Sequence, residues 1–218
     1  MKPLLFTSAD ENDNFHFERV LSARGFSRVC GTDEVGRGPL AGPVVAACVI
    51  LPPDRDPSPF IDSKKTTEKQ RYQLQQLLLS YKAEIGIGII SPQIIDQINI
   101  HQASLLAMKQ SITSLSARNV MPDYILVDGK FDVPLDTLQQ HLIKGDEKSA
   151  SIAAASIVAK IVRDEIMTRL HAAYPHYGFL TNKGYPTRQH RDRIKKYGIC
   201  PAHRLSFRGV KEFVQTKT

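Results

Sequence analysis

The spacing of apolar residues along the chain predicts a sheet covered by helices. Apolar or alternating runs rich in β-branched residues are typical of strands, and they lie at residues 26–34, 44–51, 84–90 and 124–127. Helical spacing with capping residues lies at residues 14–23, 67–81, 102–116, 147–172 and 187–197. Thr66 is the expected N-cap of the second helix, and Ser91-Pro92 opens a further helical stretch. This order of elements predicts an α/β fold with a mixed sheet.

Two segments stand out from this pattern. Residues 36–43 hold three glycines and two prolines, so they must form a loop between the first two strands. Residues 151–162 are rich in alanine and other apolar residues, and we expect this part of the long helix to be buried with its backbone close to the sheet. Lys160, Arg163 and the short length of the run exclude a membrane helix.

Composition places the chain among compact globular proteins. It has 218 residues, of which 42% are hydrophobic, which suits one domain with a sizeable core. The N-terminal residues lack the basic flank and apolar run of a signal peptide, so we expect a cytoplasmic protein. Cys30, Cys48 and Cys200 are widely separated, which argues against a disulfide framework or a cysteine-based zinc site and favours buried thiols.

Positive charge is concentrated near the C-terminus. The chain carries a net charge of +7, and residues 181–218 contain ten Lys or Arg residues against two acidic ones, Asp192 and Glu212. A basic segment on a near-neutral body favours a surface that binds a polyanion, because neutralised phosphates release their counterions. A solvated basic surface that serves only solubility is the alternative.

Four acidic residues fall at the ends of predicted elements. Asp33 and Glu34 close the first strand, Asp128 follows the fourth, and Asp146 precedes the long helix. Ligands gather beyond the strand ends of open sheets, and carboxylates that converge there repel one another unless cations neutralise them. Oxygen ligands without His or Cys favour hard ions, so the sequence predicts a site for Mg²⁺ or Mn²⁺.

Each of these positions also has a simpler interpretation. Asp146 could be only a helix N-cap, and Asp128-Gly129 could be only a turn. Asp33 and Glu34 would point to opposite faces of a regular strand, so they can share a site only if the backbone bends at Glu34.

Asp164 and Glu165 compete with Asp146 for the fourth position. Asp164 lies eighteen residues beyond Asp146 along the same helix, and this separation corresponds to roughly 27 Å at 1.5 Å per residue. We therefore expect a surface ion pair between Arg163 and Asp164 rather than a ligand.

The glycine loop and a basic cluster offer further contacts. Residues 36–42 lack the spacing of a dinucleotide-binding motif and the Lys-Ser/Thr of a P-loop. Gly36 and Gly38 would let the backbone approach a ligand closely, while Arg37 adds a phosphate contact. Ser63, Lys64 and Lys65 lie before the second helix. Their hydroxyl and two ammonium groups could also bind phosphate, although such a cluster is usually only a solvated segment at the start of a helix.

Six blocks of sequence carry a resemblance. They are GTDEVGRGPLAGPV at 31–44, DSKK at 62–65, VDG at 127–129, KGD at 144–146 leading into SIAAASIVAK at 151–160, NKGY at 182–185 and HRLSF at 203–207. In this order they resemble the signature of the ribonuclease HII family, the type 2 ribonucleases H. The resemblance covers most of the chain, from about residue 29 to residue 207.

The resemblance implies a ribonuclease H-like fold with a five-stranded mixed sheet flanked by helices. It implies a catalytic core over residues 1–180 and a basic C-terminal helical extension over residues 181–218, packed together as one structural unit. The implied catalytic residues, which would hold two Mn²⁺ or Mg²⁺ ions, are Asp33, Glu34, Asp128 and Asp146. The implied substrate contacts are Gly36, Arg37, Gly38, Ser63, Lys64, Lys65 and Tyr185.

Members of this family hydrolyse the RNA strand of RNA–DNA hybrids. They also cut on the 5′ side of ribonucleotides embedded in duplex DNA, which starts the removal of those ribonucleotides. The resemblance therefore implies 3′-hydroxyl and 5′-phosphate products, nucleic-acid partners of these two kinds, no membrane partner and a monomeric protein.

One departure from the family pattern bears on Tyr185. Pro186 follows it where the family has Gly, and proline favours an extended backbone at the preceding residue. The related type 3 enzymes carry an additional N-terminal domain and lack the Gly-Arg-Gly element, so we expect the type 2 enzyme.

Two other hypotheses remain open at this point. A DNA-directed nuclease of the same broad fold, such as a junction resolvase, would cut without regard to the 2′-hydroxyl. A non-catalytic nucleic-acid-binding module would bind through its basic C-terminal region without metal-dependent cleavage. A nucleotide-binding enzyme is the weakest alternative, because the sequence contains no phosphate-binding motif of the dinucleotide or P-loop type.

Overall fold

The computed structural model describes residues 13–60 and 66–214. Its strands are β1 (Val29–Val35), β2 (Val44–Ile50), β3 (Glu84–Ile90), β4 (Tyr124–Asp128) and β5 (Gln139–Leu142). Its α-helices are α1 (His16–Ala23), α2 (Glu68–Ser80), α3 (Pro92–Thr113), α4 (Ala150–Ala173), α5 (Phe179–Asn182) and α6 (Arg188–Tyr197).

The five strands form one mixed sheet in the order β3-β2-β1-β4-β5. β2 pairs antiparallel with both β1 and β3, whereas β4 pairs parallel with both β1 and β5. The predicted fold class is thereby confirmed. The pattern of apolar residues did not indicate β5, because its four residues, Gln-Gln-His-Leu, include three polar ones.

Helices cover both faces of the sheet. α4 packs its alanine-rich part against one face, and α3 packs against the other with Ala103, Ala107 and Ile112. The α4 backbone lies so close to β1 that a Cβ atom at Gly31 would stand 2.3 Å from the backbone nitrogen of Ile152. The expectation of a buried helix with its backbone close to the sheet is confirmed.

The helix starts differ from the predicted ones by a few residues. Thr67, not Thr66, is the N-cap of α2, and it forms a reciprocal capping box with Gln70. The long helix begins at Ala150 with Ser149 as its N-cap, three residues later than expected. Asn99, with φ of 66°, interrupts α3 between the helical stretch opened by Ser91-Pro92 and the one predicted from residue 102.

The chain beyond α4 packs on the loop between β1 and β2. Its aromatic and aliphatic side chains form a buried cluster with Leu40, Ala41 and Met167, and this cluster contains Tyr177, Phe179, Ile194, Cys200, Ala202 and Val210. The three cysteines are buried and free, as expected. Within the two described ranges, no helix is long and apolar enough to cross a membrane.

Candidate active site

The parallel pairing of β1 and β4 brings Asp33 and Asp128 together. Thr32 lies opposite Val127 at the end of the paired segment, so the next residue of each strand is one of the two aspartates. Asp33 is buried, with 6% of its surface exposed, and its Oδ1 accepts a hydrogen bond of 2.7 Å from the Glu34 amide. The two carboxylates therefore stand side by side at the C-terminal edge of the parallel strands.

Glu34 reaches the same place without the predicted backbone bend. The β1–β2 pairing continues through Glu34 opposite Ala46 to Val35 opposite Val45, so the expectation of a bend at Glu34 was wrong. Because β1 ends one residue later, the longer glutamate side chain lies at the rim of the sheet. Its Oε1 accepts a hydrogen bond of 3.1 Å from Nη1 of Arg37.

Asp146 is placed by the turn that follows β5. It lies in a short 3₁₀-helix, Gly145–Glu147, ahead of α4, and 5% of its surface is exposed. The Gly145 amide donates a hydrogen bond of 2.7 Å to Oδ1 of Asp128, which ties this turn to the end of β4. Ser149 caps α4, so Asp146 is not its N-cap, and Asp128 is more than a turn residue.

These side chains line one cavity of about 490 Å³. It gathers all four predicted carboxylates together with most of the predicted substrate contacts. From the sequence prediction it contains Asp33, Glu34, Gly36, Arg37, Gly38, Asp128, Asp146 and Tyr185. Ser63, Lys64 and Lys65 lie outside the described residues.

Five further residues on the wall of this cavity were not predicted from the sequence as part of the site. They are Val35, Thr66, Arg71, Ser156 and Lys160. Ser156 donates a hydrogen bond to Asp33. The one signal in the sequence was its position, about two turns into the helix α4 that begins shortly after Asp146.

The two basic residues among these five, Arg71 and Lys160, are held by Asp164. Lys160 Nζ lies 2.6 Å from Asp164 Oδ1, and Arg71 Nη2 lies 3.9 Å from Oδ2. The predicted surface pair of Arg163 with Asp164 was therefore wrong. Arg163 is fully buried and donates to the carbonyl oxygens of Pro43 and Ala41. A buried arginine that binds backbone carbonyls is rare enough that sequence alone does not suggest it.

Burial and neighbouring carboxylates raise the pKa of Asp33 and Glu34. Burial, followed by repulsion from Glu34 and Asp128, holds the pKa of Asp33 well above its usual range. Burial raises the pKa of Glu34 to about 7, although the Arg37 guanidinium opposes the shift. A cation that enters the cavity would favour the ionised forms of both Asp33 and Glu34 and would so stabilise the site.

The donor set suits a hard divalent ion, but the side chains are not yet arranged around one. Among residues 13–60 and 66–214, no group of three or more His, Cys, Asp or Glu side chains is positioned to hold a metal. Carboxylate oxygens instead accept hydrogen bonds from Gly145 and Arg37. Four buried or half-buried oxygen donors without nitrogen or sulfur match Mg²⁺ or Mn²⁺ chemistry, so the residues present fit such an ion.

Tyr185 lies on the wall of the same cavity. The residue is 43% exposed, and the Arg163 guanidinium carbon lies 5.9 Å from the centroid of its ring. The Tyr185 amide donates to the Asn182 carbonyl at 2.8 Å, which fixes the backbone before Pro186. Pro186 therefore leaves the tyrosine within the cavity.

The sheet order, the covering helices and the acidic cavity define a protein of the ribonuclease H-like fold. The ribonuclease HII family model matches residues 30–210, and the chain belongs to that family. Its members are ribonucleases H, hydrolases that cut phosphodiester bonds in the RNA of RNA–DNA hybrids.

Relatives and solved structures agree with this assignment. The chain is 59% identical to ribonuclease HII of Desulfotalea psychrophila over 202 residues, which are 93% of this chain and 90% of the relative. The crystal structure of ribonuclease H2 from Pyrococcus horikoshii OT3 is similar with a TM-score of 0.69 and 25% identity, over 86% of this chain and 97% of that one. A crystal structure of Bst-RNase HIII in complex with Mn²⁺ shares the fold, with a TM-score of 0.70 and 18% identity over 90% of this chain and 72% of that one.

Proposed function

We propose that the protein cuts on the 5′ side of ribonucleotides in duplex DNA, including single embedded ones, as well as the RNA strand of RNA–DNA hybrids. The products are 3′-hydroxyl and 5′-phosphate ends, and the cellular role is the removal of ribonucleotides from DNA. The observation that carries the proposal is the shared cavity, which is lined by Asp33, Glu34, Asp128 and Asp146 together with the glycine loop and Tyr185.

The four carboxylates are the proposed catalytic residues and the ligands of two Mn²⁺ or Mg²⁺ ions. Such ions, when bound, supply activation of water and stabilisation of charge on the departing 3′ oxygen. The Bst-RNase HIII neighbour, crystallised with Mn²⁺, supports this choice of ion. Asp33 is positioned by the Glu34 amide and by Ser156, and Asp128 by the Gly145 amide, so each carboxylate presents its remaining oxygen atoms to the cavity.

The glycine loop and Tyr185 are suited to reading the sugar and the backbone of the substrate. Gly36, Arg37 and Gly38 bring main-chain groups to the cavity, and Tyr185 presents a half-exposed ring. Only the 2′-hydroxyl distinguishes a ribonucleotide from its neighbours in DNA, and main-chain groups can bind it without regard to the base. Sequence preference should therefore be weak. Arg71 and Lys160 add positive charge for phosphates, together with the predicted contacts of Ser63, Lys64 and Lys65.

Cleavage mapping tests the proposal. A labelled duplex with one embedded ribonucleotide is incubated with the protein and Mn²⁺ or Mg²⁺, beside the same duplex made entirely of DNA. We expect one cut on the 5′ side of the ribonucleotide and none in the DNA control. Equal cutting of both duplexes would support a DNA-directed nuclease and refute the proposal.

Asp128→Asn separates catalysis from binding. The substitution keeps the size and the hydrogen bond to Gly145 but removes a ligand charge, so cleavage should fall below detection. Affinity for the duplex, measured by fluorescence anisotropy in EDTA, should stay within a few-fold because phosphate contacts dominate it. Full turnover by this variant would show that Asp128 is not a ligand.

The overall organisation is proposed on the same basis. Residues 1–180 form the catalytic core, and residues 181–218 form a basic extension that packs on it as part of one structural unit. The buried cluster that joins Leu40 and Met167 to Phe179 and Ile194 supports this view. We propose that the protein acts as a monomer, since the cavity is built from a single chain.

A further inference from the structure

The HRLSF block near the C-terminus contains an arginine whose role the cavity does not explain. Arg204 has 0% of its surface exposed and does not line the cavity. Its guanidinium donates to three main-chain carbonyls of the glycine loop, at 2.6 Å to Gly36, 2.9 Å to Arg37 and 3.0 Å to Gly42. Burial lowers the pKa of Arg204 to about 9. A buried charge is costly, so its retention here requires the three hydrogen bonds.

Peptide geometry converts this contact into an orientation of the loop. In a planar trans peptide, the carbonyl of one residue and the amide of the next point in opposite directions. No cis peptide bond occurs in the described ranges. Because Arg204 draws the carbonyls of Gly36 and Arg37 toward itself, the amides of Arg37 and Gly38 point away from it. Both residues lie on the cavity wall, and neither amide donates a hydrogen bond to another described residue.

A second buried arginine supports the loop from α4. Arg163 donates to the carbonyls of Pro43 at 3.1 Å and Ala41 at 3.3 Å. It also lies directly against Gly36, where a Cβ atom would stand 2.2 Å from its Nε, and Gly36 has φ of 100°. Only glycine combines this positive φ with so close an arginine. Gly36 therefore allows the loop to pack directly on Arg163 beside the two amides.

The main chain around Arg204 fixes the same loop. The Arg204 amide donates to the Leu40 carbonyl, the Gly42 amide to Ala202, and the Leu40 amide to Gly184, each at 2.8 Å. Gly184 precedes Tyr185 in the chain. The segment that carries Arg204 is thus joined to both elements that face the substrate, the glycine loop and the tyrosine.

A pair of histidines extends this connection to Tyr185. The Cys200 amide donates to Nδ1 of His203, which leaves the proton of a neutral His203 on Nε2. His203 Nε2 can then donate to His190 Nε2 at 3.1 Å, and His190 Nδ1 to the Tyr185 carbonyl at 3.0 Å. Burial lowers the pKa of both rings, that of His203 to about 4, so both are neutral at physiological pH. The chain of hydrogen bonds holds the tyrosine backbone in place.

We propose that Arg204 is a positioning residue that determines ribonucleotide selectivity, by presenting the amides of Arg37 and Gly38 to the ribose 2′-hydroxyl. The proposal rests on the ribonucleotide-dependent cleavage proposed above. Lysine cannot replace the arginine, because one ammonium on a flexible stem cannot bind three carbonyls in the fixed geometry of a guanidinium.

Equilibrium binding in EDTA, where no strand is cut, tests this role. The full chain is titrated with a duplex that contains one ribonucleotide and with the same duplex made entirely of DNA. The wild type should bind the first about tenfold more tightly, the value of one good hydrogen bond to the 2′-hydroxyl. Arg204→Lys should reduce this ratio to about twofold or less, while its affinity for the all-DNA duplex stays within about twofold of wild type.

Arg118→Lys is the matched control. Arg118 also donates to a main-chain carbonyl, that of Ile85, but at the outer edge of the sheet. This variant should keep the wild-type ratio of affinities.

An Arg204→Lys protein that melts normally and keeps the full ratio would overturn the positioning role alone. Equal loss of affinity for both duplexes would assign Arg204 to general phosphate binding or stability and would also overturn it. If the wild type bound both duplexes with equal affinity, the protein would not recognise the ribose at all, and the positioning role of Arg204 would be refuted as well.

A measurement on the wild type covers the case in which Arg204→Lys does not fold. With ¹⁵N-labelled glycine, the Gly38 amide signal should shift on addition of the ribonucleotide duplex in EDTA and should shift much less with the all-DNA duplex. Identical shifts with the two duplexes would overturn the proposal, since the amide would then not contact the ribose.

Discussion

At the scale of single residues, Asp33 is held in a position that is electrostatically unfavourable for its ionised form. It is buried beside Glu34 and Asp128, and both neighbours and the burial raise its pKa. The folded protein therefore pays for an ionised Asp33 near neutral pH unless a cation is bound. The acidic cluster therefore destabilises the metal-free protein, as expected at a site that is built to bind cations.

Asp33→Asn should make the metal-free protein more stable and the enzyme inactive. Asparagine can still accept the hydrogen bond from the Glu34 amide, while the repulsion among the carboxylates is reduced. In EDTA we expect Tm to rise by about 2–6 °C, since about 1 kcal/mol shifts Tm by about 2–4 °C in a chain of this size. Differential scanning fluorimetry checks the shift, and a lower Tm than wild type would contradict the argument.

The same variant should lose its response to metal. Mn²⁺ at about 100 times its Kd stabilises the wild type by about 2.7 kcal/mol if it binds only the folded state. Asp33→Asn should show a much smaller rise in Tm on the same addition. Asp136→Asn, which removes an exposed carboxylate elsewhere, should respond like the wild type.

At the scale of the elements, the sequence predicted the helices and strands that have a clear pattern of apolar residues. The continuous apolar run of β2 and the alanine-rich α4 were found close to their observed limits because burial itself produces those patterns. β5 and the short α5 were missed because four residues are too few for a period to show. The acidic residues could be selected because they stand at element ends. Arg71 and Arg163 could not, since their partners come from α4 and from the glycine loop, which only the folded chain brings near.

α1 is attached to the start of α4 by a buried carboxyl group. Oε1 of Glu18 accepts hydrogen bonds from the hydroxyls of Ser149 and Ser151 at 2.6 and 2.5 Å. Its Oε2 is buried without a hydrogen-bond partner among the described residues. Burial raises the pKa of Glu18 above its usual 4.5. The folded state therefore holds a proton on Glu18 more tightly than the unfolded state does.

Glu18→Gln should change how stability depends on pH. With a raised pKa in the folded state, the stability that Glu18 contributes is fully present below about pH 4.5 and is lost as pH rises through the folded pKa. Glutamine resembles the protonated acid at every pH, so the variant should gain Tm relative to wild type as pH rises from 5 to 8. Thermal melts across this range check the trend, with exposed Glu165→Gln on α4 as the control. Parallel curves for Glu18→Gln and wild type would show that Glu18 does not titrate between the two states.

At the scale of the whole molecule, charge is distributed unevenly over the fold. The carboxylates collect at one edge of the sheet, while residues 181–218 contain ten of the 29 Lys and Arg residues. α6 and the short turn that follows α4 form a groove of about 690 Å³. Its lining includes the basic residues Arg188, Arg193 and Lys196, one acidic residue, Asp192, and the stacked rings of His176 and Tyr197. A positive surface on the same molecule as an acidic cavity can hold a nucleic-acid backbone while the carboxylates approach one phosphate.

This groove should supply affinity without selectivity. Arg188→Gln combined with Lys196→Gln removes two exposed charges, so affinity for duplexes should fall and the slope of log Kd against log salt should decrease by about one to two. The loss should be the same for all-DNA and ribonucleotide-containing duplexes, because phosphate contacts carry no information about the sugar. Arg55→Gln with Lys82→Gln, at the opposite end of the sheet, removes equal charge and should change neither quantity appreciably. A loss of affinity confined to the ribonucleotide-containing duplex would place sugar recognition on α6 and contradict its assignment to the glycine loop. Unchanged salt dependence would show that the groove does not contact the nucleic-acid backbone.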